Sequence, residues 1–270
     1  GSVYYRAGKE KEADEEWGKA LDIQPANPNV YRIVASVLLE NRLLDKAIAV
    51  YRRGRSGCND TNLFTLELAQ MLIASMDYAG ATTELLRWLD QNPSQLPFVQ
   101  SRMSAFTGKE EARIAAIEVV RSALRSKEDA RLYELLGWLL VEGKKYDEAF
   151  DVYRLLDQTT RAQGGALYSF AERAFKDRAF EVAARAFKEA IDAPVPAPRL
   201  PYAMYGYASA LNETAGLADT LGGPRLSSLA PVSEIQPRYA GAVAYFRKII
   251  DQYPHTEFSA RAYYQVGVIQ

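Results

Sequence analysis

Enzymatic chemistry needs a nucleophile, a base and an orienting group within reach of one another, or a cluster of ligands around a metal. This chain is poorly supplied with both. His255 is the single histidine and Cys58 the single cysteine, each in its own turn between helices and neither with a partner that the sequence places beside it. The carboxylates of Glu110-Glu111 and Asp147-Glu148 recur at the spacing of a solvated helix surface, where nearby Lys and Arg side chains account for them. Gly164-Gly165 and Gly222-Gly223 lack the preceding strand and the Lys-Ser/Thr pair that a phosphate-cradling loop requires. The expectation is no catalytic residue, no cofactor, no metal site and a non-enzymatic role.

Composition removes further classes. Lys plus Arg is 33 against 34 for Asp plus Glu, so no cationic excess exists to neutralise phosphates, and no nucleic-acid partner is expected. No stretch reaches the roughly 20 apolar residues of a membrane helix, so the segment should not insert directly into a bilayer. One cysteine excludes an internal disulfide framework.

What does repeat is a pattern of large and small residues. Leu167, Phe170, Ala171, Ala174, Phe180, Ala183, Phe187 and Ala190 hold positions 4, 7, 8, 11, 17, 20, 24 and 27 of a 34-residue block, 164–197. The block before it, 130–163, offers Tyr133, Leu136, Gly137, Leu140, Tyr146, Ala149, Tyr153 and Leu156 at the same places. Blocks 28–61, 62–95 and 96–129 continue the frame backwards without a slip. At 3.6 residues per turn the first four positions form one stripe on a first helix, and positions 20, 24 and 27 one stripe on a second. Each block therefore predicts a helical hairpin, with small residues at 8 and 20 letting its two helices approach. The turn falls near position 14, where Gly143 suits a positive backbone angle. Block 96–129 keeps Val99, Phe106, Ala112, Ala115, Val119 and Ser122 in frame but departs at Arg102 and Met103, and Trp88 fills a usually small site, so packing there should be atypical.

This pattern resembles the tetratricopeptide repeat, which implies an all-α, right-handed solenoid of stacked antiparallel helical hairpins. The whole of 1–270 then reads as a single solenoid segment: a partial repeat 1–27, the five full blocks, a repeat 198–256 with an inserted loop, and a partial repeat 257–270. Both ends read as broken repeats, so a segment of a longer protein is expected. In the resembled family, positions 2, 5, 9, 12 and 13 line a concave groove. Here that assigns partner contacts to Arg32, Leu66, Gln70, Arg131, Glu134, Trp138, Tyr168, Glu172, Phe175 and Tyr207. Trp138, Tyr168, Phe175 and Tyr207 have no packing duty in the frame, and exposed aromatic clusters anchor protein interfaces. The alternative is that the superhelix or the inserted loop covers them. The family's carboxylate clamp, Lys and Asn at positions 5 and 9, is not matched, because Arg32 and Ser36, then Leu66 and Gln70, stand there.

The one interruption follows a first helix read with Tyr202, Tyr205, Gly206 and Ser209 at positions 4, 7, 8 and 11. Its partner helix is displaced by 24 residues, and Gly222, Gly223, Pro224, Pro231 and Pro237 oppose a continuous helix across 212–238. This loop is either a tolerated surface insertion or, given its Leu and Ile content, a segment that packs on something. The run from Tyr245 to Gly267, with its Tyr253-Pro254 step, is similar to repeats of bacterial envelope proteins, both outer-membrane-assembly lipoproteins and the Tol-associated periplasmic type. That similarity implies a periplasmic or cell-envelope setting rather than a cytoplasmic one. The functional expectation is a scaffold that holds a peptide or helix of a protein partner in its groove. The alternatives are a self-association module, giving a homo-oligomer, and the targeting arm of an enzyme whose catalytic domain lies elsewhere.

Overall fold

The computed structural model describes residues 1–193, 199–221 and 236–270, with side chains as far as 217 in the middle stretch. Among the described residues every regular element is a helix, and the chain forms two compact units, Gly1–Lys127 and Glu128–Gln270. The first unit runs α1 Ser2–Arg6, α2 Glu10–Ile23, α3 Pro28–Glu40, α4 Leu44–Gly57, α5 Thr65–Ala74, α6 Tyr78–Gln91, α7 Leu96–Thr107 and α8 Glu110–Ser126. The second runs α9 Ala130–Glu142, α10 Tyr146–Thr160, α11 Gly165–Lys176, α12 Phe180–Asp192, α13 Leu200–Leu221, α14 Ala240–Gln252 and α15 Glu257–Ile269, with one 3₁₀ turn at Pro237–Tyr239. The architecture is that of an all-α helical-repeat solenoid.

The hairpins close where the 34-residue pattern places apolar residues. On α3, Tyr31, Val34, Ala35 and Leu38 are buried, and on α4 so are Ala47, Tyr51 and Gly54. The same places on α11 and α12 bury Leu167, Phe170, Ala171 and Ala174 with Phe180, Ala183, Phe187 and Ala190. Closeness is literal at Gly137, where a Cβ would stand 2.7 Å from the Tyr153 ring, so no larger residue fits between α9 and α10 without displacement. Proline acts where helices begin. Pro28 and Pro97 lie in the first turns of α3 and α7, where the missing N–H has no intrahelical partner to lose.

Five of the turns inside hairpins share one device at position 15 of the repeat. Arg42, Met76, Lys144 and Arg178 hold φ of 62°, 62°, 57° and 65°, and Gly8 holds 74° at the equivalent place. Each left-handed residue lets the next N–H reach back five residues to a helix carbonyl, as Leu43 does to Leu38 and Lys145 to Leu140, both at 2.9 Å. The expected role of Gly143 is therefore corrected. Its φ is −84° and Lys144 carries the positive angle instead.

The frame does slip once. Between α7 and α8 the chain has only Gly108 and Lys109, with Lys109 extended at φ −81° and ψ 135°, and position 15, Glu110, is already helical. Omitting the left-handed turn rotates α8. Its buried stripe is Ala112, Ala116, Ile117 and Val120, while Ala115 and Val119 are half-buried and Ser122 is exposed. The assignment of Ala115, Val119 and Ser122 to the core face is thus off by one residue, and the same repeat leaves Arg102 exposed where other repeats bury Val34, Leu68, Leu136 and Phe170.

A second correction concerns α13. Met204 and Ala208 are buried and Tyr202 is 54% exposed, so the helix is turned by one residue from the placement of Tyr202, Tyr205, Gly206 and Ser209. Counted from the repeat start at 198, positions 4, 7 and 11 are Pro201, Met204 and Ala208, all buried, whereas Tyr202 at position 4 counts from 199. The helix also continues to Leu221, 22 residues in all, so the first part of the expected loop 212–238 is helical. The rest of that loop through 235 lies outside the described residues. From Ala240 the pattern resumes, with Ala242, Phe246 and Ile249 of α14 packed with Met204, Ala208 and Ala262 in one core.

Candidate partner-binding faces

In the first unit, the residues expected to meet a partner, Arg32, Leu66 and Gln70, lie on the first helices of successive hairpins, α3 and α5. Leu66 and Gln70 are brought together. With Glu67, Ala69 and Ile73 of α5, Leu85 of α6, and Arg102 and Ala105 of α7, they line a cleft of about 330 Å³. Arg32 joins this face from α3. Its Nε lies 3.3 Å from Glu67 Oε1 and its guanidinium lies 5.1 Å from the centroid of the Phe64 ring. The cleft reaches Leu85, which is 1% exposed, so its floor is the hydrophobic seam between helices rather than their outer surface. Glu67, Arg102 and Ala105 were missed by the groove positions. Arg102 had left a signal in the sequence, a charged residue at a position otherwise apolar.

In the second unit the expected residues are more varied in duty. Arg131 turns onto the carboxylate that caps its own helix, with Nε 3.0 Å from Asp129 Oδ1 and Nη2 2.5 Å from Oδ2. Glu134 is exposed in part, and burial of its carboxyl pushes its pKa above the ordinary value. It bears in turn on the Tyr153 phenol, whose pKa is pushed up to about 12, first by burial and then by the Glu134 charge. Trp138 is half-buried on α9. Tyr168 donates its hydroxyl proton to Glu172 Oε1 at 2.7 Å and sets its ring edgewise on Phe187, centroids 5.9 Å apart. Desolvation and the Glu172 carboxylate both hold that phenol well above its usual range. Phe175 packs edgewise on Phe180 at 5.2 Å. Intrachain ring packing therefore accounts for part of the surface of Tyr168 and Phe175, which the frame alone left without a packing duty.

Tyr207 is not brought to this group. The one-residue rotation of α13 turns it toward second helices, edge-on to Tyr245 at 4.5 Å, and onto a separate cleft of about 730 Å³ with Phe150, Val182, Arg185 and Lys188. Tyr202 takes its place. It is exposed, sits edgewise on Phe258 at 4.6 Å, and with Arg199 lies within electrostatic reach of Tyr168. Elsewhere, Cys58 Sγ lies 3.9 Å from the Pro25 carbonyl oxygen, and His255 is exposed at φ 60° between α14 and α15. Among the described residues no group of three or more His, Cys, Asp or Glu side chains is placed to hold a metal ion, and no helix is long and apolar enough to cross a membrane.

The family model described as tetratricopeptide repeat matches residues 111–165. That stretch carries the tetratricopeptide-repeat pattern. The match spans most of α8 through the turn before α11, across the repeat whose frame slips and the regular one after it. Among solved structures, the chain is similar to the C-terminal part of a repeat-containing protein from Cytophaga hutchinsonii, at 16% identity, with 96% of each chain covered and a TM-score of 0.38. It is also similar to a tetratricopeptide-repeat protein from Parabacteroides merdae, at 14% identity over 96% of this chain and 93% of that one, TM-score 0.32. A third is YrrB, described as having an unusual peptide-binding site, at 13% identity over 91% and 96%, TM-score 0.32. At these values no residue role passes from those proteins to this one. No curated protein matches the sequence.

Proposed function

We propose that this tetratricopeptide-repeat protein is a non-enzymatic interaction scaffold that holds a segment of a protein partner, a peptide or one helix, on its first-helix faces. The observation that carries the reading is the cleft lined by Leu66, Gln70 and Ile73, an open apolar seam on the face that the repeat pattern assigns to binding. Trp138, Tyr168, Phe175 and Tyr202 on the first helices of the second unit support it, since half-exposed aromatic rings held by neighbouring rings are preorganised contact surface. The test compares partners captured by the wild-type chain with those captured by Gln70→Arg, Trp138→Ala and a second-helix control, Leu155→Ser. Loss of a partner in either of the first two and its retention in the third is the expected result. Equal recovery by all would overturn the reading.

A second reading, self-association, is supported by α15, where Tyr263, Tyr264 and Val268 are 63%, 69% and 63% exposed. Light scattering across a concentration series tests it, and a constant monomer mass removes it.

A further inference from the structure

We propose that the cleft between α5, α6 and α7 selects an acidic-apolar segment, seating one large apolar side chain in the seam while a neighbouring carboxylate of the partner pairs with Arg102. This rests on the scaffold reading and names the partner's chemistry. Position 7 elsewhere in the chain holds an apolar residue that plugs the space between adjacent hairpins, as Leu68 and Leu136 do at 0% and 4% exposure. Arg102 does not enter that space, and the seam opens down to Leu85. The resulting volume of about 330 Å³ is near the lower end of the ~300–1,000 Å³ typical of ligand pockets, room for a side chain or two rather than a whole helix.

The lip of the cleft carries one carboxylate, Glu67, and one guanidinium, Arg102. Glu67 is already engaged by Arg32 at 3.3 Å, whereas Arg102 has no carboxylate within ion-pair distance among the described residues. Its guanidinium is instead held over the Phe98 ring, 5.0 Å from the centroid, and Phe98 is itself packed on Trp88 at 4.6 Å. Ring stacking leaves the edge of a guanidinium, where its N–H donors lie, open to a planar acceptor and already oriented. An aliphatic floor beside an exposed cation held over a ring is complementary to an apolar side chain with an Asp or Glu next to it. A basic segment would meet Arg102 as a like charge.

The experiment uses the 270-residue chain and four fluorescently labelled, C-terminally amidated 12-residue peptides, read by anisotropy. One carries a central Leu-Asp-Leu-Asp; the others replace both Asp by Asn, both Asp by Lys, or both Leu by Ser. The Leu-Asp peptide is expected to bind about tenfold more tightly than its Asn analogue, the scale of one charge-assisted hydrogen bond. Arg102→Gln should bring the two to the same affinity, and Ala105→Trp, at an exposed position on the cleft, should abolish both with the circular dichroism unchanged. Equal binding of the Lys peptide, or no effect of Arg102→Gln, overturns the acid preference and leaves the scaffold reading intact. Binding that survives Ala105→Trp overturns the site. If none of the four peptides binds, the inference fails, and the scaffold reading stands or falls separately on the capture experiment.

Discussion

Arg55 and Glu84 form a two-point ion pair between α4 and α6, Nη1 to Oε1 at 2.7 Å and Nη2 to Oε2 at 2.5 Å, with their side chains only 12% and 10% exposed. Arg55 Nε also donates to the Leu63 carbonyl at 2.7 Å, so one guanidinium joins two second helices and the turn between repeats. Removing one partner leaves the other charge buried, which costs roughly 3–5 kcal/mol in comparable sites. Glu84→Ala should therefore lower unfolding stability by about 3 kcal/mol in urea titration. The double replacement Arg55→Leu with Glu84→Leu should recover more than half of that. A loss below about 1 kcal/mol would show that the pair is effectively solvated.

The left-handed turn residue gives a prediction of opposite sign. Met76 is 68% exposed and held at φ 62°, a conformation costing a non-glycine residue about 1–2 kcal/mol. Glycine relieves that strain and loses about 0.4–1 kcal/mol through greater unfolded-state freedom. Met76→Gly should raise stability by about 0.5 kcal/mol, whereas Lys109→Gly, at φ −81°, has no strain to relieve and should lower it. Midpoints of chemical denaturation measured side by side check both signs.

Close approach at Gly137 predicts a steric cost. A methyl group there would meet the Tyr153 ring at 2.7 Å, and Tyr153 is itself stacked on Phe170 at 4.9 Å, which limits how far it can yield. Gly137→Ala should destabilise by about 1–3 kcal/mol despite the better helix propensity of alanine. A rise in melting temperature would show that the ring moves freely.

Two groups on this same hairpin set a pH dependence. The folded-state pKa of Tyr153 is about 12 against an unfolded value of 10.0, so between those values the folded chain keeps a proton that the unfolded chain has lost. Its contribution is fully present below pH 10 and is lost as pH rises through 12, an alkaline decline that Tyr153→Phe should reduce. Glu134 acts in the same sense at acid pH. Its raised pKa means the folded state binds the proton longer, so stability falls as pH rises above 4.5 toward the shifted value. Glu134→Gln should remove that fall and also move the Tyr153 limb to lower pH, because the Glu134 charge is the second cause of the phenol's shift. Stability measured from pH 3 to 12 in the three proteins separates the two groups.

The sequence by itself determined the hairpins, because a residue's burial in a repeat of this kind is set by helical phase within a short segment. Tyr31, Ala35, Phe170 and Ala183 can be assigned to the core from spacing alone, and they are buried. It also determined that Leu66 and Gln70 share a face, since they lie one helical turn apart on α5. What only the tertiary structure decided lies where phase is reset outside the helix. The two-residue connection of Gly108 and Lys109 rotated α8 by one position, and the face of α13 put Tyr202 where Tyr207 was expected. A shift of one residue turns a helix by about 100°, enough to exchange a core position for a surface one while leaving the composition of the stripe almost unchanged. The cleft at Arg102 belongs to the same class. The sequence marks the residue as a departure, but whether its side chain fills the seam or leaves it open depends on how three helices pack around it.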